Sequence, residues 1–119
     1  HRDLHSFPTR RSSDLFAIGG DYTKPLENIS NKISTNDGGI TWQVVADNQN
    51  PGYRSCVQYF PNSKGKSLIS VGFNGIDISN DQGNSWKHIS DEGFYTLRFL
   101  NDCTAYAAGN GKISKLHFK

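Results

Sequence analysis

Two eight-residue segments, Thr35-Asn36-Asp37-Gly38-Gly39-Ile40-Thr41-Trp42 and Ser79-Asn80-Asp81-Gln82-Gly83-Asn84-Ser85-Trp86, repeat one pattern at an interval of 44 residues. A hydroxyl, a carboxylate, a glycine, a second hydroxyl and an indole recur in fixed register, so the chain is a repeat protein and each copy punctuates one unit. The residue types describe a tight turn between two antiparallel strands. Asp37 and Asp81 can accept bonds from the turn's own amides. Gly39 and Gly83 supply the positive φ that such a turn needs. Thr41 and Ser85 add a hydroxyl bond, and Trp42 and Trp86 start the outgoing strand with a large apolar surface. A calcium loop is the competing chemistry. Each copy holds a single carboxylate, whereas hard cations take several oxygen ligands at ordered spacing, and no metal is expected.

Around these turns, short β-branched and aromatic runs alternate with Gly, Asn, Asp and Pro, the punctuation of an all-β chain without helices. Gly75–Ser79 alternates apolar and polar residues as a half-buried strand does, while Leu68–Val71 reads as buried on both faces. Tyr95, Leu97 and Phe99 share one face of a further strand, with Thr96 and Arg98 on the other. Aligning the two copies gives a four-strand unit: strands at 54–60, 67–72 and 75–79, then the turn, then an outer strand at 85–89. Three strands of a preceding unit, at 16–19, 32–35 and 42–45, stand before it. After it, Gly93-Phe94-Tyr95-Thr96 echoes Gly52-Tyr53-Arg54-Ser55, and 104–108 and 112–118 supply second and third strands.

The first fifteen residues stand apart. His5 to Leu15 reads in one frame as the translation of a common short-read sequencing adapter, and Arg2-Asp3-Leu4 repeats its ending. A natural basic tail is the alternative, but residues 1–15 are set aside as adapter-derived and disordered, foreign to the fold in the way that a tag or linker is. They contain three Arg and two Asp, so of the chain's 13 basic and 11 acidic side chains ten and nine remain, a net +1. No field of that size steers nucleic acid. No apolar run approaches the roughly 20 residues of a membrane-spanning helix.

The repeated motif resembles the Asp box, or BNR repeat, of sialidase-like β-propellers. That resemblance implies a fragment of a β-propeller, about two and a half four-stranded antiparallel blades, where closed rings have about four to eight. Residues 16–119 would then be the carboxyl-terminal blades of a truncated ring, with Lys119 close to the true carboxyl terminus. The missing blades of its own chain would be its first partners, and the isolated stack is expected to be marginal or aggregation-prone. Ile18-Gly19-Gly20-Asp21-Tyr22, Gly52-Tyr53-Arg54-Ser55-Cys56-Val57 and Val71-Gly72-Phe73-Asn74-Gly75-Ile76-Asp77 are similar to bacterial propellers related to photosystem II assembly and stability factors. This second resemblance implies an exported protein, periplasmic or extracellular.

Catalytic chemistry finds little support in the residues. A sialidase-like site wants an arginine cluster, and only Arg54 and Arg98 lie outside the first fifteen residues. Asp91 and Glu92 are adjacent and read as a solvated turn rather than as carboxylates opposed across a glycosidic bond. Cys56 and Cys103 read as unpaired, buried thiols, and His88 and His117 as surface strand residues without metal-ligand spacing. Neither dinucleotide, phosphate-loop nor hydrolase-elbow motifs occur, and no cofactor is expected. Binding is the stronger expectation. With the repeated turns on one face, the opposite face is made by 21–31, 46–53 and 90–93, and the first of these is long for its position. Asp21, Tyr22, Lys24, Tyr53 and Arg54 are the residues placed there, ordinary exposed loop positions being the alternative. The expected function is a non-catalytic scaffold for protein binding or assembly, a glycan being the other partner class. The rival is a fragment of a sialidase-like or other glycan-active propeller hydrolase.

Overall fold

The structure, a computed structural model, describes residues 14–109 and 111–118. Ten strands form three antiparallel sheets, with no helix among the described residues. The first sheet is β1 (Leu15–Ile18), β2 (Lys32–Thr35) and β3 (Gln43–Val44). The second runs β4 (Cys56–Tyr59), β5 (Leu68–Gly72), β6 (Gly75–Ser79) and β7 (Lys87–Ser90). The third is β8 (Thr96–Asn101), β9 (Thr104–Gly109) and β10 (Lys112–His117). In each sheet the strands lie side by side in chain order, the meander of a propeller blade. The grouping of three, four and three strands matches the expected two and a half blades. Of the fifteen adapter-like residues, only Asp14 and Leu15 lie among the described ones. Leu15 opens β1 opposite Thr35, so the first strand begins one residue before the expected Phe16.

Each face of the central sheet meets a neighbour. Ile69, Val71 and Ile76 pack with Phe94, Leu97, Ala105 and Ala107 in one core between the second and third sheets. Two fully buried alanines on β9 leave room for the larger side chains opposite. The other face of the central sheet meets the first sheet, where Leu68 of β5 and Tyr59 of β4 meet Phe16. Burying each such aliphatic or aromatic side chain contributes about 1.5–3 kcal/mol. Coverage on both sides explains why β5 is buried along its whole length, Ser70 included, as read from the sequence of Leu68–Val71.

The same coverage corrects the reading of β6 as half-buried. Asp77 and Ser79, its polar members, are only 1% exposed, because the first sheet lies over the face they occupy. The tryptophans also differ from expectation: β3 and β7 start one residue after Trp42 and Trp86. Each indole folds back over its own turn, Nε1 donating to the carbonyl of Gly39 at 3.0 Å or of Gly83 at 2.9 Å.

Within the turns the two copies share one set of bonds. Thr35 Oγ1 donates to Asp37 Oδ1 at 2.6 Å and accepts from the Gly39 amide at 3.2 Å. Ser79 Oγ does the same for Asp81 at 2.8 Å and Gly83 at 2.9 Å. Thr41 or Ser85 grips both oxygens of each carboxylate, its amide donating to Oδ1 and its hydroxyl to Oδ2. Gly39 and Gly83 have φ of 96° and 90°, a region that favours residues without a Cβ.

Candidate binding face

At the end of the blades opposite the repeated turns, three connections pack together. The β1–β2 loop folds into two consecutive turns, Lys24 N bonding Asp21 O at 2.9 Å and Glu27 N bonding Lys24 O at 3.0 Å. It is tied to the segment between the first and second blades by Tyr53 N on Pro25 O at 3.0 Å and Asn48 N on Asn28 O at 3.1 Å. Gly52 makes this approach possible, since a Cβ there would lie 2.2 Å from Pro25 O. Asn31 completes the tie by donating through Nδ2 to Gly52 O at 2.7 Å and Pro51 O at 3.2 Å.

Lys32 anchors this junction from below. It is fully buried, and its ammonium donates to Asn31 Oδ1 and Gln49 O, each at 2.8 Å, and to Ala46 O at 3.4 Å. Burial pulls its pKa down to about 8. Oxygen acceptors on three sides are what allow a lysine in such a position at all.

On top of the junction stands a row of aromatic rings. Tyr22, 70% exposed, lies 6.5 Å from the Tyr53 ring, and Tyr53 lies 5.7 Å from Phe73 on the β5–β6 turn, both pairs tilted. Leu26, also on the long loop, is 82% exposed. Asp21 and Lys24 flank Tyr22 on the surface, and the Thr23 hydroxyl and amide hold the Asp21 carboxyl below its ordinary range.

Arg54 sits elsewhere. It is buried beneath the row, its guanidinium bonded to Asp77 Oδ1, to Asn74 Oδ1 at 2.7 Å and to the Tyr53 carbonyl at 2.8 Å. The structure thus brings Asp21, Tyr22, Lys24 and Tyr53 onto one surface and puts Arg54 under it as a support. Beside it opens a cleft of about 250 Å³, lined by Leu26, Pro51, Asn74, Asp77, His88 and Asp91 among others.

The polar wall of this cleft follows from a register shift. Between Ile76 and Asp77 the β6–β7 ladder slips, which sets His88 directly opposite Asp77. His88 Nδ1 then lies 3.1 Å from Asp77 Oδ1, and Nε2 lies 2.6 Å from Asp91 Oδ1. Asp91 and Asp77, in that order, raise the imidazole pKa above its usual value. Sequence reasoning passes over this group, taking His88 as a plain surface residue and Asp91 as a solvated turn. The available signal is Asp77, a lone carboxylate in the otherwise apolar Gly75–Ile78 segment of β6. Cys103 is exposed rather than buried, because the β8–β9 turn carries it out of the sheet; Cys56 is half-buried, and both are free thiols.

No protein-family model matches the sequence and no curated protein is detectably similar to it. Among solved structures, the chain is similar to an ancestral GH74 enzyme, a β-propeller glycoside hydrolase, at 12% identity and a TM-score of 0.52. The likeness covers 87% of this chain and 19% of the enzyme's, so the chain spans about a fifth of that structure's length. At this identity the likeness speaks to fold, and together with the three antiparallel meanders it defines the chain as blades of a β-propeller.

Proposed function

We propose that these blades belong to a non-catalytic scaffold that docks a protein partner on the loop face, in an exported bacterial propeller of the kind related to photosystem II assembly and stability factors. The observation that carries the docking reading is the row Tyr22–Tyr53–Phe73 with Leu26 beside it. Aromatic and aliphatic groups left in solvent on a face otherwise built from well-bonded loops are characteristic of interaction sites. Against catalysis at this face stands the condition of its best candidate acid. Asp77 is buried, and one of its oxygens already serves both Arg54 and His88. The similarity to assembly factors supports the exported location, and fractionating cells that make the intact protein tests it: recovery in the cytoplasm would refute it.

The docking reading is tested by panning a random peptide library against the 119-residue chain, with Tyr22→Ala as counter-selection. Selected peptides are expected to bind the unaltered chain roughly tenfold more tightly than the variant, the loss of about 1.4 kcal/mol typical of a central aromatic anchor. Peptides indifferent to Tyr22 would sink the reading.

A second reading, a glycan-active propeller, draws on two observations: Asp77 and Asp91 flank one imidazole beside an aromatic row, and the fold is shared with a GH74 enzyme. Release of new reducing ends from oligosaccharides, abolished by Asp91→Asn, would establish it in place of the scaffold.

A further inference from the structure

The loop face exposes five carboxylates, Asp21, Glu27, Asp47, Asp91 and Glu92. Among the described residues it exposes two lysines, Lys24 and Lys112, and Lys112 is bonded to Glu92 at 3.3 Å. The buried cations below add little outside: Arg54 is matched by Asp77, and Lys32 is enclosed by its oxygen acceptors. At the other end the charges are mixed, with Lys64, Lys66 and Lys87 exposed together with Asp81 and Asp102. A chain with a formal net charge of +2 therefore presents an acidic surface where its aromatic row lies.

We propose that this face takes an extended peptide segment bearing lysine or arginine, with one cationic side chain entering the cleft between Leu26 and Asp91. The inference rests on the docking reading above and names the chemistry of the partner. An alkyl stem would lie along Leu26, 82% exposed, since long cationic side chains cover apolar surface while their heads stay polar. At the end of that path stands Asp91, 96% exposed, whose second oxygen is available while Oδ1 meets His88. Asp77 lies deeper and is already paired with Arg54, so Asp91 is the carboxylate that the cleft presents to solvent. Tyr22 and Tyr53 offer ring faces to a second cationic group of the same peptide. Complementary charge of this kind speeds encounter and rejects acidic partners.

The experiment is the same selection, read for composition, on the full chain and on a charge-removed variant, Asp21→Asn/Glu27→Gln/Asp91→Asn. All three side chains are exposed and lie in loops, and an unchanged circular dichroism spectrum verifies folding. Tyr22-dependent peptides are expected to be enriched in Lys and Arg over Asp and Glu by roughly threefold or more. Their binding should weaken from about 50 to about 500 mM salt, as screening of exposed charge requires, and the enrichment should vanish with the variant. Tyr22-dependent peptides without basic enrichment would overturn the charge inference and leave the docking reading standing. A selection that yields no Tyr22-dependent peptide would overturn both.

Discussion

The two repeated turns are built from the same bonds and live in different surroundings. In each, a hydroxyl, a carboxylate and a second hydroxyl close the loop, and an indole caps it on a glycine carbonyl. The turn of the second blade also touches the first blade: the Trp86 ring is 5.7 Å from Phe16, and Gly83 lies against that same ring. The turn of the first blade has no such neighbour among the described residues, and Trp42 is 43% exposed. A motif can therefore specify its own geometry completely while its contribution to stability is decided by the adjacent blade.

Substitutions at matched positions separate these two contributions. The widest gap is expected at the glycines. A Cβ on Gly83 would lie 2.2 Å from Phe16 Cε2, so Gly83→Ala adds overpacking to the unfavourable left-handed backbone, about 3 kcal/mol or more in all. Gly39→Ala meets nothing closer than 3.6 Å and should cost only the backbone term, about 1–2 kcal/mol. Urea unfolding of the two variants measures both, and equal losses would show that the Phe16 contact is slack. Next come the indoles: Trp86→Ala should cost about 2 kcal/mol, less than a fully buried aromatic, and Trp42→Ala under about 1 kcal/mol.

The smallest difference lies in the carboxylates. Bonds from Thr35 and then Thr41 hold Asp37 far below the ordinary carboxylate range. Partial burial pushes Asp81 upward, and the bonds from Ser85 and Ser79 outweigh it to leave a lowered value. Both groups therefore stabilise the fold above the unfolded carboxylate pKa of about 3.9, and that contribution fades as pH falls through the depressed folded values. Asp81 should take its proton first. Carboxylate carbon NMR along an acid titration checks the order, and Asp37 protonating first would reverse the comparison.

Legibility in the sequence follows the same division. The strands, the blade register and the turn residues can be read because each depends on local chemistry: β-branched runs, glycines and a carboxylate at fixed offsets. The interior polar group cannot. Whether Asp77 faces water depends on the sheet that covers it, and alternation along β6 reads the same either way. Lys32 and Arg54 are hidden for that reason, since nothing in the residues around them reveals that Ala46 and Gln49 in one case and Asn74 and Asp77 in the other will supply acceptors. His88 needs one further fact, the ladder slip that turns it toward Asp77.

The enclosed lysine bears on how such blades can be exchanged. Lys32 belongs to the first blade, but the carbonyls that hold its ammonium come from Ala46 and Gln49, in the segment leading into the second. A chimaera cut between these positions would strand an amine among foreign atoms, whereas one cut beyond Pro51 would carry the whole arrangement along. The transferable module is thus offset from the visible repeat, and the yield of soluble chimaeras from the two cut sites would reveal the offset.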